Sequence, residues 1–216
     1  MCHYGTCLFD LDGTLINSIE LIMESFRYAL RINLDINPTE EQELRWRAGF
    51  GTPLRTQLAK FTSPEQVDGL VDSYRFYTHE HHDHLLRPYA GINGALEALR
   101  CEGVRLAVVT SKTHQLARRG LRQCGLNHYF DVLIGMDDVA EHKPHPAPVL
   151  AALTRLSVGV RDVVFVGDSP HDMCAGRAAG VDTAAALWGP FSRDELAAES
   201  PDHWLATPAQ ISTLEP

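Results

Sequence analysis

Five short apolar runs constrain this chain more than anything else in it: TCLFDLD (6–12), VRLAVVT (104–110), FDVLIGM (130–136), DVVFVGD (162–168) and DTAAALW (182–188). Each is close to continuously apolar and most are rich in β-branched residues. A strand with one wet face alternates apolar with polar; a strand buried on both faces does not, and buried-both-sides is the signature of a parallel sheet. Helical stretches flank the later runs: GINGALEALRCEG, HQLARRGLRQCG, APVLAALTRLSVG and DMCAGRAAG. Three of them close on a glycine suited to a helix C-terminus, Gly103, Gly125 and Gly180. Strand–helix alternation of this kind predicts an α/β fold, a doubly wound, Rossmann-like parallel sheet.

Residues 16–85 break the rhythm and hold no convincing strand. SIELIMESFRYALRIN carries apolar residues at 19, 22, 23, 26, 29 and 30, a helical stripe. PTEEQELRWRAG opens on Pro38 and acidic residues, a good helix start. TPLRTQLAKF and SPEQVDGLVDSYRFYTHEHHDHL follow. The expectation is an all-helical cap over 16–85, inserted into a discontinuous core of 1–15 and 86–216.

Composition excludes several function classes. The chain has 216 residues, enough for a sizeable core, and 28 acidic against 19 basic residues give a formal charge of −9. That balance argues against nucleic acid as a partner. No apolar stretch reaches the roughly 18 residues of a membrane span, and MCHYGTCLFD lacks the basic and apolar regions of a signal peptide. Five scattered cysteines with no CxxC pair read as reduced thiols in a cytoplasmic protein, with Cys7 and Cys174 as small core residues. The expected assembly is a monomer or weak homodimer.

The chemistry lies where the strands end. In open α/β sheets, ligands bind beyond the carboxyl ends of the strands. Here those ends are polar: Asp10 and Asp12, then Thr110 and Ser111, then Asp168, with Asp172 four residues on and Lys143 in the loop after the third run. Close carboxylates repel, and burying them unpaired is costly. A divalent cation removes the conflict, and all-oxygen ligands favour Mg²⁺. A lysine and a hydroxyl beside it complete a cradle for phosphoryl oxygens. One carboxylate can then attack phosphorus, and the second, two residues on, can protonate the leaving oxygen and later deprotonate water. Asp168 also suits the N-cap of a helix beginning near 170, and Asp172 its first turn.

DLDGT (10–14), VVTSK (108–112), HKPHP (142–146) and VGDSPHD (166–172) resemble, in order and spacing, the four motifs of the haloacid dehalogenase superfamily. The helical insert resembles the cap of its phosphoglycolate phosphatase-like branch. SYRFYTHEHHDHL, MDDV and DTAAALW resemble the bacterial subgroup that hydrolyses inorganic diphosphate. The resemblance implies Asp10 as nucleophile, Asp12 as general acid/base, Thr110 on the phosphoryl oxygens, and Lys143 as the orienting cation. It implies Mg²⁺ held by Asp10, Asp12, Asp168 and Asp172, with Gly13, Thr14 and Ser111 near a small phosphorylated substrate. Asn17 stands where phosphoglycolate phosphatases usually carry aspartate, and Ser111 where an asparagine is common.

Two further features, and two other function classes, bear on the reading. GFGTPL (49–54) reads as a plain turn or as a substrate loop in which Gly51 admits close approach, with Arg47 and Arg55 flanking it. HEHHDH (79–84) places His79, His82 and Asp83 at helical spacing, and reads as a solvated helix end or a polar wall facing substrate. A phospho-accepting signalling domain would use a similar cluster, but Asp12 is placed to speed dephosphorylation. A dehalogenase of the same superfamily would not need a Mg²⁺-ready set.

Overall fold

The computed structural model describes residues 4–215. In chain order the elements are β1 (Thr6–Phe9), β2 (Ile16–Asn17), α1 (Ile19–Leu34), α2 (Glu40–Arg47), α3 (Leu54–Leu58), α4 (Val67–Leu85), β3 (Arg87–Pro88), α5 (Ile92–Cys101), β4 (Arg105–Val109), α6 (His114–Gln123), β5 (Val132–Ile134), α7 (Ala147–Leu156), β6 (Val163–Gly167), α8 (Pro170–Ala179), β7 (Asp182–Ala186), α9 (Arg193–Ala197) and β8 (His203–Leu205). Six strands form one sheet in the order β5-β4-β1-β6-β7-β8, and every pair in it is parallel. The α/β reading holds, with two additions. β8, the short run HWL, extends the sheet edge. β2 and β3 form a two-residue antiparallel pair where the chain enters and leaves the helical region.

All four residues of β1 and all five of β6 are buried, which explains the unbroken apolar runs. One face of the sheet packs Cys7, Phe9, Leu106, Val108, Val164 and Val166 against α5 and α6. The other packs Leu8, Ala107, Val109 and Phe165 against α7 and α8. Cys7 is fully buried; Cys174 is only half-buried, its thiol donating to Glu199 Oε2 at 2.8 Å, because it sits on the outer face of α8.

Register sets the site. Phe9 lies level with Val108 on one side and Val166 on the other. The chain winds outward from β4 to β5, then crosses to β6 on the far side of β1. The strand order therefore switches direction at the carboxyl end of β1, where a crevice opens. Above it sits the helical region. There α1 packs along α4 around Phe26, Leu30, Trp46, Leu58 and Leu70, with Phe26 and Trp46 stacked at 4.4 Å. α2 begins with a Thr39–Gln42 capping box, one residue after Pro38.

Candidate active site

β1 hands its ladder on by one residue: Asp10 N donates to Val166 O at 2.9 Å. The chain then turns sharply. Gly13 adopts φ +89°, and a Cβ there would run into the Asp168 carboxylate. That combination of backbone angle and crowding admits only glycine. The turn tucks Thr14 underneath, where its hydroxyl donates to Asp168 Oδ1 at 2.7 Å. Trp188 Nε1 fixes the turn by donating to Thr14 O at 2.9 Å. Gly13 and Thr14, expected beside the substrate, both meet Asp168.

Lys143 reaches the same point from the loop after β5. Lys143 is 4% exposed. It donates to Asp10 Oδ1 at 2.6 Å, to Asp172 Oδ1 at 2.6 Å and to Val109 O at 3.3 Å. Burial works against the charge on Lys143, but Asp10 and Asp172 outweigh it and hold its pKa above the usual lysine value. Asp172 Oδ2 accepts from Ser169 N and Oγ, at 3.1 and 2.6 Å. Ser169, not Asp168, is the N-cap of α8. Asp168 is thereby free of the capping duty its position in the sequence also suits.

Asp10, Asp168 and Asp172 each bring a carboxylate oxygen to within 4.8 Å of the others. One ammonium does not balance three buried carboxylates. Burial, with Asp172 and Asp12 adding to it and Lys143 opposing, lifts the Asp10 pKa to about 7. Burial, then Asp10 and Asp172, lift Asp168 well above the usual carboxylate value. The Oδ2 atoms of Asp10 and Asp168 accept no protein hydrogen bond among the described residues. An all-oxygen donor set with surplus negative charge and two open lone-pair positions fits a hard divalent cation.

Asp12 does not join that group. Its Oδ1 accepts from Lys112 Nζ at 2.6 Å and from the Ser18 hydroxyl. Asp10, Asp12, Thr110, Ser111, Lys112 and Asp168 form the floor of one cavity of about 490 Å³. Its roof comes from the helical region: Trp46, Phe50, Gly51, Tyr74, Arg75 and His79 among others. Thr110 is buried, its backbone N donating to Ile134 O, and its hydroxyl accepts from Lys112 N at 3.2 Å. Ser111 Oγ donates to Gly51 O at 2.6 Å, and His171 Nδ1 lies 3.1 Å from Phe50 O. Two side chains from the sheet end therefore hold the 49–52 loop over the cavity, with Gly51 at φ +90°.

Some expected residues go elsewhere. Arg47 and Arg55 do not line the cavity; Arg55 pairs with Asp68 on the surface. The guanidinium from the roof is that of Arg75, four residues before His79 on the same face of α4. His79 reaches the cavity rim, but His82 does not. His82 is fully buried, packed near Gly120 of α6 and bonded through Nδ1 to Asp83 at 2.7 Å. The solvated helix end expected over 79–84 holds for every residue of the stretch but His82: Gly120 lacks a side chain, and His82 packs against it. Burial holds its imidazole below the usual histidine pKa, against the pull of Asp83. Reading the sequence alone missed Lys112, Ser18, Ser169 and Arg75. For Lys112 the signal was adjacency to Thr110 and Ser111; for Arg75 it was the i, i+4 relation to His79.

The comparisons with known proteins agree with this geometry. The family model for haloacid dehalogenase-like hydrolases matches residues 7–186. The pyrophosphatase PpaX of Anoxybacillus flavithermus is 38% identical over 212 residues, covering 98% of this chain and 97% of that protein. The pyrophosphatase PpaX of Halalkalibacterium halodurans is 37% identical over 201 residues, covering 93% and 92%. Among solved structures, a predicted phosphoglycolate phosphatase from Haemophilus somnus superposes with a TM-score of 0.88 at 26% identity, covering 99% of this chain and 98% of that one. A haloacid dehalogenase-like family hydrolase from Streptococcus pneumoniae gives 0.85 at 25% identity, covering 96% of each chain. No helix among the described residues is long and apolar enough to cross a membrane.

Proposed function

The chain belongs to the haloacid dehalogenase-like hydrolases, and on that premise we propose that it hydrolyses inorganic diphosphate with Mg²⁺, through a phosphorylated Asp10. The observation that carries the reading is the buried cluster in which Lys143 bonds both Asp10 and Asp172 beside Asp168, while Asp12 faces the same cavity. One carboxylate oxygen of Asp10 attacks phosphorus while the other would face the cation, and Lys143 fixes the orientation of that carboxylate. Asp10 and Asp168 would hold Mg²⁺, with Asp172 in support, and the bound ion would supply positive charge for the transferring phosphoryl group. Asp12 gives a proton to the leaving oxygen and takes one from the water that hydrolyses the acyl phosphate. Lys112 and Ser18 hold Asp12 in place for both steps. Thr110 serves the phosphoryl oxygens.

We read residues 16–85 as a cap that closes over this floor, pivoting where β2 and β3 pair. Arg75, His79 and Lys112 are the groups placed to receive a leaving phosphate. The choice of diphosphate rests on the two relatives named pyrophosphatase. One observation favours a second reading, a small organic phosphomonoester: Ile19, Ile22, Trp46, Phe50 and Leu54 also wall the cavity, and inorganic phosphate has no apolar surface to bury. A kcat/KM panel of diphosphate, phosphoglycolate, sugar phosphates and alkyl phosphates tests this. Diphosphate is expected to rank first. An organic monoester ahead by about tenfold, or about 1.4 kcal/mol of transition-state preference, overturns the diphosphate assignment and leaves the phosphohydrolase mechanism in place.

A further inference from the structure

The chain carries a charge of −9, yet residues 111–124 hold Lys112, Arg118, Arg119 and Arg122 and no acid. Outside the active site, α6 turns one face to a second cavity of about 440 Å³. Gln115, Arg118, Arg119, Arg122 and Gln123 line it, with Asp83 from the last turn of α4. Positions 115, 118, 119 and 122 form a single i, i+3, i+4, i+7 stripe.

The stripe is short of anions. Asp83 is the one carboxylate in the lining, and it is committed: Arg119 Nε donates to its Oδ1 at 3.0 Å, and His82 Nδ1 lies 2.7 Å from the same atom. Gln123 Nε2 donates to the Asp83 backbone carbonyl at 3.0 Å. Among the described residues Arg118 finds only His114, its Nη2 lying 3.0 Å from the ring Nε2. His114 Nδ1 lies 3.0 Å from Asp138 Oδ2, so with that nitrogen protonated the other is an acceptor for Arg118. Arg122 has no polar partner among the described residues. Two guanidinium groups unmatched by carboxylates, about 6 Å apart along the helix axis, leave the lining net positive in an acidic protein.

We propose that this cavity is a second anion site, separate from the reaction centre, for a small compound carrying two or more linked phosphoryl groups. Guanidinium forks match phosphoryl oxygens in pairs. One phosphoryl group satisfies one fork, so two linked groups are needed to engage Arg118 and Arg122 together, with Gln115 and Gln123 as further donors. The occupant also competes with Asp83 for Arg119. That pair joins α4 to α6, which makes the site a lever on how the helical region is held against the sheet.

The inference stands independently of which substrate the active site takes. Its test is equilibrium binding of methylenediphosphonate, which resists hydrolysis, to the full-length protein in Mg²⁺ at low ionic strength, with inorganic phosphate as the single-group probe. Wild type should show two sites. The Arg118→Ala/Arg122→Ala variant, altered only on an exposed face, should lose one of them by at least tenfold. It should keep the other, and keep its kcat for p-nitrophenyl phosphate. At the arginine site inorganic phosphate should bind at least tenfold more weakly than the diphosphonate, and added salt should weaken that site steeply. A single site in wild type overturns the proposal, as does a variant that loses both sites or neither. Equal affinity for phosphate and diphosphonate at the arginine site overturns the two-group requirement.

Discussion

The proposed metal site couples cation binding to pH through Asp10 and Asp168. Without a cation, burial and neighbouring carboxylates lift the Asp10 pKa from 3.8 to about 7, and Asp168 moves in the same direction. A raised folded-state pKa means the folded chain holds the proton more tightly than the unfolded one. The contribution of Asp10 to stability is therefore fully present below about pH 3.8 and lost as pH rises through about 7. A bound divalent ion reverses this, because it needs both carboxylates ionised. At about pH 5.5, some 1.5 units below its pKa, roughly 3% of Asp10 is ionised, so binding there costs about 2 kcal/mol more than at about pH 8.5. The apparent Mg²⁺ affinity should fall at least about thirtyfold between those pH values, and further as Asp168 takes up a second proton. Magnesium at about 100 times its dissociation constant at the higher pH stabilises by ~2.7 kcal/mol; the same concentration at the lower pH gives ~0.8 kcal/mol. For a chain of this size that is roughly 5–10 °C in Tm against 2–3 °C. Calorimetric titration and thermal melts with and without Mg²⁺ at the two pH values measure it. Asp168→Asn should lose most of the stabilisation. An affinity that does not change with pH would refute the reasoning, since the ion would then be held by groups other than these two carboxylates.

The remaining predictions concern individual residues. Asp10→Asn should fold and lose turnover; retention of more than about a tenth of wild-type kcat, a loss under ~1.4 kcal/mol, would rule out a phosphorylated Asp10. Asp12→Ala should slow hydrolysis by roughly 10²–10⁴-fold. The loss should be smaller for p-nitrophenyl phosphate, whose leaving group needs little acid help, than for an alkyl phosphate; equal losses would make Asp12 a structural residue. Gly51→Val places a β-branched residue at φ +90° beside His171. It should raise KM severalfold by displacing the 49–52 loop, with kcat changed less; an unchanged KM would separate that loop from substrate binding.

What the sequence made legible follows from where burial leaves no choice. β1, β4 and β6 are covered on both faces, so their apolar runs are unbroken and easy to find. A polar residue ending such a run is conspicuous, and parallel register then brings Asp10 to within one residue of the level shared by Thr110 and Asp168, without any knowledge of side-chain contacts. β8 escaped notice because HWL lies at the sheet edge, with His203 and Trp204 only half-buried. β2 and β3 are two residues each and have no pattern to detect.

Side-chain partners were harder to read than backbone positions, for a physical reason. A lysine stem spans several ångströms and its direction is chosen by packing, so Lys112 can serve Asp12 from 100 residues away while Arg55, beside the 49–52 loop in sequence, turns outward to Asp68. Asp168 shows the same principle at its sharpest. A strand-end aspartate before a helix is an N-cap by local rules. Yet Ser169 takes that duty, with Asp172 completing the box. Asp172 in turn binds Lys143, and Lys143 binds Asp10. Moving the cap one residue along leaves Asp168 with one oxygen on Thr14 and the other open toward the crevice. The helix start and the charge cluster are therefore one construction: the residues that begin α8 are those that set the lysine against Asp10. Replacing Ser169 would disturb the position of Lys143 as well as the helix it caps.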